Sequence, residues 1–169
     1  MGEFELKRLH ADGVKSALDK AAWYRALNEP LEAESICRDI LALEPRNQKA
    51  IATLLLALSD QFPHDLGPSF REAKELIAQL DSEYERAYYA GLLAERRAKC
   101  QHRQPMPGRG HLVYQGLREA MTFYETAEKV RPPGNDDAVL RWNACARMID
   151  SNPDIAPSHE TSREAVELE

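Results

Sequence analysis

One helical pattern occurs twice in this chain and restricts its fold more than any other feature. In residues 31–46 a small Ala33 is followed four positions on by a larger packing residue, Cys37, and Pro45 closes the segment. Residues 120–132 repeat the arrangement with Ala120, Tyr124 and Pro132, and in both copies the proline stands twelve positions after the alanine. Such recurrence predicts stacked helical repeats, because a single hairpin cannot bury its apolar face alone. Arrays of this kind present binding surfaces whose specificity lies in a few exposed side chains, so the pattern points to a scaffold and names no ligand.

The chain has 169 residues, enough for one domain with its own core and no need of disulfides or a structural metal. Its longest apolar run, residues 51–58, is interrupted by Thr53 and falls far short of the roughly 20 residues that a bilayer span requires. Residues 1–10 alternate charged and apolar side chains without a continuous hydrophobic region, unlike a signal peptide. The expectation is a cytoplasmic protein that does not enter a membrane. Cys37, Cys100 and Cys145 are an odd, widely spaced set, read as reduced and packed thiols. Cys100-x-His102 with His111 comes nearest to a ligand cluster, but it lacks a CxxC or HExxH element, so no metal or cofactor is expected. A net charge of −6 argues against a dedicated nucleic-acid binder. With no GxSxG, phosphate loop or paired histidines on a helical face, no catalytic residue is nominated.

Taken in order, residues 1–12 are a lead-in, residues 13–150 the helical domain, and residues 151–169 an acidic tail expected to be mobile. Helices are predicted over 13–27, from Pro30 to about 43, and over 46–61. The first two are joined by so short a turn that they must lie antiparallel. The third is apolar nearly all round and should be sandwiched between neighbours. Residues 62–68 read as a loop, with Ser69-x-x-Glu72 as a capping box opening a fourth helix to about 80. Ser82-x-x-Glu85 opens the fifth by the same device, and Gly91 within it suggests close approach of a neighbouring helix. The Pro- and Gly-rich stretch 101–111 is expected to be loop, followed by helices over 112–130 and from an Asn135 cap to about 150. The last should pack through Val139, Trp142, Ala146 and Ile149.

These segments resemble the tetratricopeptide repeat family. Ala21-x-x-Tyr24, Ala33-x-x-x-Cys37 and Pro45 form a first copy; Leu54-Leu55-x-x-Leu58 and Ala73-x-x-x-Ile77 form a second, with Glu85 where proline is expected. Gly91-x-x-Ala94, Ala120-x-x-x-Tyr124 and Pro132 form a third, in which the interval from Gly91 to Ala120 is 17 residues longer than that from Ala21 to Ala33 in the first, an insert divided between longer helices and a loop. Residues 81–91, with 131–138 and Arg141-Trp142-Asn143, also resemble an uncharacterised bacterial subgroup of that family, which implies no activity. The resemblance implies an all-α, right-handed α-solenoid of about three hairpins plus a closing helix, binding a protein or peptide in a concave groove. Carried over by register, that groove would include Lys49, Leu56, Tyr88, Leu92 and Glu95. Members that hold chaperone tails use a Lys and Asn clamp; Leu18, Ala22, Thr53, Glu85 and Tyr89 stand at those positions, so that role is not expected.

Arg96, Arg97, Lys99, His102, Arg103, Arg109 and His111 make a cationic stretch without an acidic residue. It reads either as a site for an anion, acidic peptide or nucleic acid, or as a solvated helix end complementing the helix dipole. A third reading has the acidic tail (Asp154, Glu160, Glu164, Glu167, Glu169) folded back on it. Trp142, on a last helix that no repeat follows, is the candidate for a homodimer contact. The candidate partner-binding residues are therefore Lys49, Leu56, Tyr88, Leu92, Arg96, Arg97, Arg103, Arg109 and Trp142.

Overall fold

A computed structural model describes residues 4–158, and within them the chain is all-helical, with seven α-helices and no strand. The chain divides into two compact units, Met1–Asp81 and Ser82–Glu169.

The first unit contains α1 (Val14–Ala26), α2 (Pro30–Leu43), α3 (Gln48–Asp60) and α4 (Phe62–Ile77). Each packs on the next, and α1 also touches α3. The α1–α2 turn is short because Asn28 adopts the left-handed conformation, φ 61°, which asparagine tolerates better than most side chains. Its N–H donates to the Arg25 carbonyl and that of Glu29 to the Tyr24 carbonyl. This double closure satisfies the last carbonyls of α1. Pro30 then starts α2, where its missing N–H costs nothing. Ala33, Cys37 and Ile40 are fully buried along α2. Asn47 caps α3 by accepting the Ala50 N–H at 3.0 Å, and α3 lies between α2 and α4, as its all-round apolar surface requires.

Residues 62–68 are helical rather than loop. Phe62 and Pro63 begin α4, and the helix kinks at Asp65 (φ −145°, ψ 62°) before resuming. Pro68 is tolerated because it falls in the first turn after the kink, where backbone N–H groups have no intrahelical partner. Ser69 is consequently not a cap. It is buried one turn inside the resumed helix, and its hydroxyl donates to the Asp65 carboxylate at 3.3 Å.

The second unit contains α5 (Glu83–His102), α6 (Arg109–Lys129) and α7 (Asp137–Ser151). Ser82 caps α5 through the Glu85 N–H at 3.2 Å. The expected 101–111 loop is confined to residues 103–108, because α5 and α6 extend to 20 and 21 residues and absorb most of the insert. These two helices run antiparallel in close contact. A Cβ at Gly91 would stand 2.7 Å from the Tyr124 ring, and one at Gly116 would stand 2.9 Å from the Ala98 Cβ. The N-cap of α7 is Asp136 rather than the expected Asn135; Asn135, one position earlier, accepts the Asp137 N–H at 2.9 Å and the Tyr84 hydroxyl at 3.1 Å, tying the start of α7 to α5. Helix α7 buries Ala138 and Cys145, with Trp142, Ala146 and Ile149 packed beside them.

The chain stays packed beyond α7. Ile155 is 3% exposed and belongs to the same core as Val113 and Leu117, so residues 152–158 are not a free tail. Val166, Leu168 and the acidic residues Glu160, Glu164, Glu167 and Glu169 lie outside the described residues.

Candidate functional site

Burial and pairing sort the nominated residues. Leu92 is 1% exposed, on a buried part of α5. Lys49 is exposed, while Leu56 and Arg96 are half-buried. Tyr88 is half-buried among rings, stacked on Tyr84 at a centroid distance of 5.7 Å and tilted against Tyr124 at 5.9 Å, and its side chain also bonds Arg141. It therefore ties helices together. Trp142 is turned towards α6, its indole N–H donating to Glu125 at 3.0 Å. The strongly exposed apolar residue of α7 is instead Leu140, 63% exposed.

The cationic stretch, uniform in sequence, is neutralised in three places by carboxylates. Arg97 pairs with Glu119 at 2.7 Å, Lys99 pairs with Glu95, and Arg109 pairs with Asp154 at 3.4 Å. The last pair realises the fold-back of the acidic tail for Asp154. Arg103 alone of the nominated arginines is both exposed and without an ion pair among the described residues. The Nδ1 atoms of His102 and His111 are buried and lack a hydrogen-bond partner among the described residues.

The strongest electrostatic feature lies at Glu95, which the family register places in a groove but which is not among the candidate partner-binding residues. Glu95 has no exposed surface and draws donors from three helices. Its Oε2 accepts the Tyr124 hydroxyl at 2.6 Å, and its Oε1 accepts from Lys99 and, at 3.2 Å, from Arg141. A buried carboxylate needs such company, since loss of hydration is offset only by opposite charge and well-placed donors. Burial, followed by the Glu95 charge, holds the Tyr124 hydroxyl far above the ordinary tyrosine range. Burial likewise pushes the Cys145 thiol up to about 12, again with Glu95 as the second cause. Fully enclosed, Glu95 reaches no substrate in this conformation and instead locks α5, α6 and α7 into one register. The sequence signal for part of this was the four-residue spacing of Glu95 and Lys99; the Tyr124 and Arg141 partners carry no local signal.

In the first unit, the α1–α2 turn and the start of α4 enclose a cleft of ≈ 420 Å³ lined by Pro30, Leu31, Glu29, Glu32, Asp60 and Asp65, with Asn28, Gln61 and His64 between them. Its walls are fixed by the closure at Asn28 and by Gln61, which donates to Glu34 at 2.6 Å. Among the described residues no three His, Cys, Asp or Glu side chains are grouped to hold a metal ion. Nor is any helix among them long and apolar enough to cross a membrane. No protein-family model, curated protein or solved structure matches this chain.

Proposed function

We propose that the protein is a non-enzymatic scaffold of tetratricopeptide-like helical repeats that binds a peptide segment of a partner protein on an exposed helical surface. The carrying observation is the spacing of contacts within the first unit. Arg25–Asp60 and Arg46–Asp81 join residues 35 positions apart, and Arg38–Glu72 joins residues 34 apart. A repeat of about 34 residues brings such positions together on successive hairpins. In the second unit the Tyr84–Asn135 bond spans 51 positions, about one such repeat lengthened by the 17-residue insert. The alanines of the recurring pattern, Ala33, Ala73 and Ala120, all have no exposed surface, which supports the same packing role in α2, α4 and α6. Pairing of Arg97, Lys99 and Arg109 favours peptide binding over an anion or nucleic-acid site, because those cations already have partners.

Selection of a random-peptide display library on the immobilised full chain tests this reading. The expected result is enrichment of a peptide family that binds in solution with a Kd on the order of micromolar, the middle of the ordinary affinity range. Failure to enrich any family would overturn it.

A further inference from the structure

We propose that the cleft between the α1–α2 turn and α4 docks a cationic amphipathic segment of a partner protein, a Lys or Arg lying among its carboxylates and an apolar side chain covering Leu31. This rests on the scaffold reading and names the partner's chemistry. Three large apolar side chains near the α1–α2 turn are exposed. Trp23, Leu27 and Leu31 are 54%, 48% and 67% exposed, and the Leu27 N–H donates to the Trp23 carbonyl, which places those two on successive turns of one helix face. Large apolar side chains exposed in series mark interaction surfaces more often than single ones do. Leu31 and Pro30, in the first turn of α2, line the cleft itself.

The charge around it decides the occupant. Glu29, Glu32, Asp60 and Asp65 line the cleft, and no Lys or Arg does. Asp60 is engaged by Arg25 at 2.8 Å. Glu29, Glu32 and Asp65 have no cationic partner among the described residues; Asp65 receives only the Ser69 hydroxyl. A basic segment would supply the missing cations, and Arg would suit the site through its planar fork of donors. The cleft, at ≈ 420 Å³, lies within the usual range for ligand pockets. Its walls are already hydrogen-bonded in place, so docking would order little of the protein.

The test uses the full chain and a fluorescein-labelled amphipathic helical peptide composed of Leu and Lys, followed by anisotropy at low and moderate salt. The wild type is expected to bind it. Glu29→Gln with Glu32→Gln and Asp65→Asn should weaken binding by about tenfold or more, as should Leu31→Ser alone, with helicity unchanged by circular dichroism. A control removes three exposed carboxylates elsewhere, Asp19→Asn, Glu75→Gln and Asp150→Asn, and should leave affinity within about twofold. Equal weakening by both charge variants would reduce the effect to general attraction and overturn the proposal, as would indifference to Leu31→Ser. A wild-type dimer that Leu31→Ser dissolves would make a second copy the occupant and also overturn it. Display peptides that bind but are neither basic nor sensitive to the cleft variants would sink this site while leaving the scaffold reading standing.

Discussion

Tyr124→Phe isolates the buried Glu95 centre with the least disturbance of packing, since it removes one oxygen and keeps the ring. The hydroxyl bonds Glu95 at 2.6 Å, and the two side chains are 1% and 0% exposed, so no water takes its place. A hydrogen bond to a charged acceptor contributes about 1.5–3 kcal/mol. Lys99 and Arg141 remain on the other oxygen, so the carboxylate is not orphaned and a loss of about 2 kcal/mol is expected. For a chain of this length that corresponds to a fall in Tm of about 4–8 °C. The assay is urea unfolding followed by tryptophan fluorescence. Trp23 lies in the first unit and Trp142 in the second, so a Trp23→Phe background makes Trp142 the reporter of the unit that holds the centre. The transition should move to lower urea without a change in slope. A shift under about 0.5 kcal/mol, the range of ordinary surface changes, would refute the assignment of Glu95 as a tyrosine-bonded lock.

Gly91→Ala should destabilise by about 1–2 kcal/mol despite the better helix propensity of alanine, because the new Cβ meets the Tyr124 ring at 2.7 Å; thermal denaturation reads this directly. Gly110→Ala would place its Cβ 1.8 Å from the Asp154 carbonyl and should release the segment carrying Ile155, whereas Gly67→Ala meets nothing and should be neutral or stabilising by up to about 1 kcal/mol; hydrogen exchange at Ile155 separates the two. Burial raises the Cys37 thiol from 9.0 to about 11 and the Cys145 thiol to about 12. Both thiols should resist a disulfide reagent in the native state and react once unfolded. Because the folded values are the higher ones, their contribution is complete below pH 9 and declines as pH rises towards 11–12; alkaline urea titrations should show this decline, and Cys145→Ala should reduce it. Ser82→Ala should cost about 1 kcal/mol through loss of the α5 cap, read as lower helicity and Tm.

Much of the helical order was legible because its signals are local. Asn28 and Pro30 mark the first turn, Ser82 marks a cap, and Gly91 marks a close approach, each acting within a few residues of itself. The loop expectation at 62–68 failed because proline and glycine near a helix start are compatible with the first turn, where no intrahelical bond is lost, whereas within 101–111 Pro105, Pro107 and Gly108 do stand in a loop and only its flanks are helical. Composition counts the breakers and does not say on which side of a helix boundary they fall. The candidate site was less legible still. Arg97, Lys99 and Arg109 read as a free patch because Arg97 and Arg109 find their carboxylates, Glu119 and Asp154, on segments remote in sequence. Lys99 finds Glu95 only four positions away, a neighbour lying just outside the run of cations. Glu95 itself sits at a position the family register assigns to a groove, and only the arrival of Tyr124 and Arg141 makes its burial tolerable.

The short run after α7 has a consequence for where this unit can be cut or joined. Helix α7 is 15 residues long against 21 for α6, a difference of about 9 Å at 1.5 Å per residue. Ile155, set beside Val113 in the same core, and Asp154, paired with Arg109, cover the start of α6. A protease or a fusion joint placed at Ser151 would therefore strip the cover from an intact helix.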